Sequence, residues 1–148
     1  MKLCRIGELG KEKPAVIDND GSYKDLSSAI SDFNPENLNF QTIEKIKKLK
    51  IKDLPTLNAN SRIGACVKNP SKFLGIGLNF KDHATEQNLP IPKEPIIFSK
   101  FTNCIVGPND NIEVPKNSNH TDWEVEIGFV IGKKAKYVEE KNALDYVL

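Results

Sequence analysis

Residues 122–132 read Asp-Trp-Glu-Val-Glu-Ile-Gly-Phe-Val-Ile-Gly, and they alternate. In an extended strand successive side chains point to opposite faces. Trp123, Val125, Ile127, Phe129 and Ile131 therefore share one face, and Asp122, Glu124 and Glu126 share the other. An apolar row at period two specifies a half-buried strand, and with it a fold built on a sheet. The other face carries three like charges, in residue types that strands disfavour. A divalent cation would relieve that repulsion. Glu124 and Glu126, roughly 7 Å apart by two strand rises, would reach one ion from the same side. Oxygen donors select Mg2+, Mn2+ or Ca2+ over zinc. Taken by itself, a Glu-x-Glu pair fits a solvated strand face better than a metal site.

The 148 residues suffice for one average domain or two small ones. With 21 basic against 20 acidic side chains the net charge is +1. Neither nucleic acid nor an acidic membrane surface is implied as a partner. Arg5, Glu8, Lys11, Glu12 and Lys13 interrupt any signal-like apolar run near the N-terminus, and no stretch is long enough to span a bilayer. Cys4, Cys66 and Cys104 form no Cys-x-x-Cys pair, which argues against a zinc ribbon or a disulfide framework. A cytoplasmic protein with reduced thiols is expected. Each cysteine has apolar sequence neighbours and is expected in the core.

Residues 2–7 alternate like a strand, and 14–17 read as a second. Asp18-Asn19-Asp20-Gly21 is a turn signal leading into Tyr23–Leu26. Short helical starts are expected at Asp25 and at Asn34-Pro35-Glu36. Ile43, Ile46 and Leu49 have helical spacing, and the lysines between 45 and 52 form its solvated side. Residues 1–60 thus read as a small α+β domain, and 61–71 as a linker with a short strand. From residue 72 to 148 the reading is a buried strand at 72–77, a helical turn at 80–87, and strands at 95–98, 112–114 and 122–132. A helix at 138–147 closes the series. Tyr146-Val147-Leu148 stops within an apolar helical pattern without a closing Gly, Asn or Pro, so a chain cut short at its C-terminus is expected.

Two further groups carry chemistry. His83 and Glu86 lie three apart, neighbours on a helical turn. A carboxylate beside an imidazole fixes its tautomer and suits it to activate water. A surface histidine with an incidental ion pair gives the same pattern. Lys100 closes the 95–98 strand, where it could meet a substrate carboxylate or extend from an edge into solvent.

Five blocks now line up: Gly77-Leu78-Asn79-Phe80-x-x-His83-Ala84-x-Glu86, Pro95-x-x-Phe98-x-Lys100, Ile105-Val106-Gly107-Pro108, Asp122-Trp123-Glu124-Val125-Glu126-Ile127, and Val130-Ile131-Gly132-Lys133. In order and spacing they resemble the fumarylacetoacetate hydrolase family. Met1-Lys2-Leu3, Glu12-Lys13-Pro14 and Asp25-Leu26-Ser27 resemble one branch of it, that of ureidoglycolate lyase and 2,4-diketo-3-deoxy-L-fuconate hydrolase. The resemblance implies a mixed β-roll catalytic domain, of which 72–148 would be the first part, after the small N-terminal domain. It implies Mg2+ or Mn2+, with Ca2+ also allowed, held by Glu124 and Glu126, with Asp122 behind them. It implies His83 as the water-activating base paired with Glu86, and Lys100 at the substrate. Phe80 stands where the family more often has Tyr. A third metal ligand is expected in a block beyond Leu148. The implied activity is hydrolytic or lytic cleavage of a C–C bond in a 2-oxo or 2,4-dioxo acid, in a homodimer. Decarboxylation, dehydration or ureidoglycolate lyase chemistry is the alternative, as is a non-catalytic fragment lacking the third ligand.

Overall fold

The computed structural model describes residues 1–148 and divides them into two compact units, Met1–Lys68 with Val106–Leu148, and Asn69–Ile105. The first is built on a three-stranded antiparallel sheet of β1 (Lys2–Ile6), β2 (Lys13–Ile17) and β3 (Tyr23–Asp25) in sequential order. Lys2 pairs with Ile17 and Ile6 with Lys13, and Ala15 pairs with Asp25. The Asp18–Gly21 turn forms as its residues dictate. Gly21 N–H donates to the Asp18 carbonyl at 3.0 Å, and Gly21 takes a φ of 84°, which a side chain would oppose. Asn34 makes a turn, not a helix: its side-chain oxygen accepts from the N–H groups of Glu36 and Asn37.

Helix α1 (Phe40–Lys47) starts where Asn39 caps it, accepting from Thr42 N–H at 3.0 Å. Lys45 and Lys47 occupy its last turn, where the helix dipole favours cations. Ile46 is completely buried against Val16, Leu26, Ile30 and Phe33. Burial of a side chain of this size stabilises by about 1.5–3 kcal/mol. A second cluster gathers Cys4, Ile6 and Ala15.

Arg5 lies on β1 between buried Cys4 and Ile6 and is itself buried. Its guanidinium donates to both Asp32 oxygens, at 2.7 and 3.1 Å, and to Glu12 at 3.2 Å. Glu12 accepts in turn from Arg62 at 2.7 Å, and Arg62 grips both oxygens of Asp110 at 2.7 and 2.6 Å. Asp110 also accepts from Gly107 N–H at 2.7 Å. Gly107 has no room for a Cβ, because the Ile63 carbonyl and the Gly64 Cα lie against it. This chain of alternating charges fixes the 107–110 turn to the N-terminal sheet.

The remainder of this unit departs from expectation. Residues 112–114 and 122–130 form no strand. A strand exists through its ladder, and no segment here pairs with them. Trp123 and Val125 are each 79% exposed, so the apolar row is not buried. Pairing begins only where Ile131 bridges Val147 and Leu148 N–H donates to the Val130 carbonyl at 2.8 Å. Residues Glu140–Tyr146 wind as tight 3-10 turns in place of the expected helix. Ile63 makes a single bridge to Ile6 where a short strand was expected. Cys66 and Cys104 are exposed, and Cys4 alone joins the core as expected.

In the second unit β4 (Phe73–Gly77) and β5 (Ile96–Lys100) pair antiparallel, Phe73 with Lys100 and Gly77 with Ile96. The Phe98 ring fills the space over Gly75. Between the strands stands the short helix α2 (Lys81–Glu86), whose Ala84 is fully buried. The strand at 72–77 is not buried as expected: Leu74 is 52% exposed, and β5 is exposed along its whole length.

Candidate active site

The approach to α2 is tightly specified. The chain leaves β4 through Gly77 and turns at Leu78, whose φ of 49° lies in the left-handed region that non-glycine residues avoid. Such backbone is found where a turn must aim the following residues. Helix α2 then presents His83 half-exposed. His83 Nδ1 faces Glu86 Oε2 at 3.8 Å, an ion-pair separation too long for a hydrogen bond. The other ring nitrogen, Nε2, lies 3.0 Å from the side-chain nitrogen of Gln87. An amide nitrogen only donates, so Nε2 accepts and the ring proton sits on Nδ1, toward Glu86. That tautomer leaves the basic lone pair on Nε2. Gln87 is a contact that the sequence reading missed. Its position four residues after His83, on one helical face, was the available signal.

A cleft of about 230 Å³ opens in the same unit, lined by Ile76 to Asn79, Lys81 and Ile91 to Pro95. Lys81, Lys93 and Glu94 supply its charge. Lys100 lies 5.6 Å from the Phe73 ring centroid across the β4–β5 pair, in cation–π contact.

Glu124 and Glu126 belong to the first unit, on the extended segment described above, and both are exposed. Asp122 turns back on its own backbone, accepting from Trp123 N–H at 2.8 Å. In chemistry these carboxylates suit a hard divalent cation. In number they fall short, since no group of three or more His, Cys, Asp or Glu side chains converges anywhere in the structure.

Comparison with known proteins places the chain. The family described as fumarylacetoacetate hydrolase, C-terminal, matches residues 72–148, and the chain belongs to that family. Among curated relatives, a "Putative hydrolase" of Burkholderia lata is 48% identical over 147 residues, 99% of this chain and 52% of its own length. Another of the same description, from Burkholderia multivorans, is 49% identical over the same extent. The chain therefore spans about half the length of the curated relatives it matches. The crystal structure of "a putative HpcE protein from Mycobacterium smegmatis" superposes with a TM-score of 0.70 at 28% identity, over 97% of this chain and 51% of that one. No helix is long and apolar enough to cross a membrane.

Proposed function

We propose that this chain contributes the proton-handling and metal-binding residues of a hydrolase or lyase that cleaves a C–C bond in 2-oxo or 2,4-dioxo acids. One observation carries the reading: the family match over 72–148 takes in His83, Glu86, Lys100, Asp122, Glu124 and Glu126 together. The Nδ1–H tautomer of His83, facing Glu86, supports the role of base. His83 Nε2 takes a proton from water once Gln87 swings aside, and Glu86 stabilises the imidazolium that results. Lys100 offers its ammonium to a substrate carboxylate. Glu124 and Glu126 would hold Mg2+ or Mn2+, with the remaining oxygens supplied from outside this chain. When bound, such an ion supplies Lewis-acid polarisation of the substrate's oxo group. The curated relatives' description as hydrolases supports the hydrolytic form of the reaction over decarboxylation or dehydration.

The test is a calorimetric Mn2+ titration of the chain beside its Glu124→Gln variant, followed by product analysis on a panel of acylpyruvates. Affinity should fall at least tenfold in the variant. An unchanged affinity rejects the metal assignment, and an intact rate in His83→Ala rejects the base.

A further inference from the structure

The segment from 122 to 130 is extended, unpaired and exposed, yet it carries the most regular apolar row in the chain. Trp123, Val125, Ile127 and Phe129 are 79%, 79%, 70% and 68% exposed. At its far end the segment is held in register. Ile131 bridges Val147, Gly132 N–H donates to the Tyr146 carbonyl at 2.9 Å, and Gly132 packs against Phe40 and Leu148. One end is thus anchored, and the ladder groups and apolar face beyond it have no partner.

We infer that residues 122–130 are a docking strand, and that its occupant is a polypeptide carrying the part of the family fold which this chain does not span. Two observations name that occupant. The Burkholderia lata relative aligns with 99% of this chain through only 52% of its own length, and the Mycobacterium smegmatis structure through 51% of its own. A stretch of comparable size therefore accompanies the same elements in both. The second observation is charge. Residues opposite each other in an antiparallel pair share a face, and like charges there repel. In one register, a second copy would set Asp122, Glu124 and Glu126 against their own counterparts. Shifted by one, it would set carboxylates against the apolar row. Self-pairing through this strand is unfavourable either way, whereas a strand of different sequence meets neither conflict. The added strand completes the backbone ladder while its layer covers Trp123 to Phe129, the usual manner of β-augmentation.

Trp123 is the only tryptophan, so 5-fluorotryptophan incorporated into this chain reports on the segment alone. The labelled chain is mixed with the separately produced stretch of the Burkholderia lata relative that lies outside the matched span, without metal or substrate. We expect a one-to-one complex by sedimentation, a displaced fluorine resonance for Trp123, and amide exchange at least tenfold slower across 123–130. A Val125→Lys/Ile127→Lys variant alters only exposed positions, keeps its fold by circular dichroism, and should bind at least tenfold more weakly. The inference is overturned by absence of a complex, by a homodimer that excludes the added stretch, or by a complex that leaves Trp123 and its neighbours unchanged. Because the assay involves no catalysis, its failure leaves the proposed reaction untouched.

Discussion

Replacing Asp32 by alanine should be among the most damaging single changes to the N-terminal sheet. The Arg5 and Asp32 side chains are 4% and 6% exposed, and they meet through two hydrogen bonds. Removing one member of a buried pair leaves the other charged and desolvated, at a cost of about 3–5 kcal/mol. Arg5 retains Glu12 at 3.2 Å and the Ala65 carbonyl at 3.2 Å, which places the expected loss near the lower end, about 3 kcal/mol. With a urea slope of about 1–2 kcal/mol per molar, the midpoint should fall by about 1.5–3 M. The β1 and β2 amide cross-peaks, followed through a urea titration of the whole chain, isolate this unit from the rest. Two controls sharpen the result. Glu44→Ala breaks an exposed pair with Lys47 and should leave the midpoint in place. The double change Arg5→Met/Asp32→Leu removes both charges while Glu12 keeps Arg62, and should recover most of the loss. A midpoint shift for Asp32→Ala no larger than that of Glu44→Ala would refute the claim that this network holds the sheet.

Acid should loosen the same unit. Burial raises the Glu12, Asp25 and Asp32 carboxyls, but hydrogen bonds and nearby charge outweigh it: Arg62 and Arg5 at Glu12, Ser27 and Lys13 at Asp25, Arg5 and Lys68 at Asp32. All three are held below their ordinary range. Groups depressed in the folded state stabilise it above their unfolded values, about 3.9 for Asp and 4.3 for Glu, and that contribution is lost as pH falls through the folded values. The urea midpoint should therefore be flat from pH 7 to about 5 and decline below about 4; a midpoint unchanged at pH 3 would contradict the network. The cysteines should separate under a thiol reagent at pH 8, because Cys66 and Cys104 are exposed whereas burial pushes the Cys4 thiol up to about 11. Mass spectrometry of the native chain should show two rapid additions, and a third only on unfolding.

The elements that sequence reading recovered are those whose partners lie close along the chain. The Asp18–Gly21 turn, the strands on either side of it, the Asn39-capped helix and the turn before His83 are local, and turn chemistry or periodicity reports them. The 122–130 segment has a strand's alternation without a strand's ladder, because period two records which face a residue would take and says nothing about a pairing partner. The Arg5 network was invisible for the opposite reason. Charged residues are ordinarily solvated, and Arg5, Glu12, Asp32, Arg62 and Asp110 are spread over 106 residues of chain, so only folding brings them together. Arg5 between two apolar neighbours on a strand was the one hint. The histidine site was legible through its motif, while Gln87 and the tautomer it selects required coordinates.

The path of the chain has a further consequence. Residues 69–105 leave the first unit and return to it, and both exits are fastened inside that unit. Lys68 N–H donates to the Phe33 carbonyl at 2.7 Å on one side, and Arg62 clasps Asp110 on the other. For a polymer loop with pinned ends, closure entropy grows only logarithmically with length, about 0.6 kcal/mol for each doubling. Insertions between 69 and 105 therefore add little closure cost to the host sheet, and this stretch can open and reclose while the host stays folded. The helix bearing His83 sits on a part of the chain that is free to vary in length and to breathe.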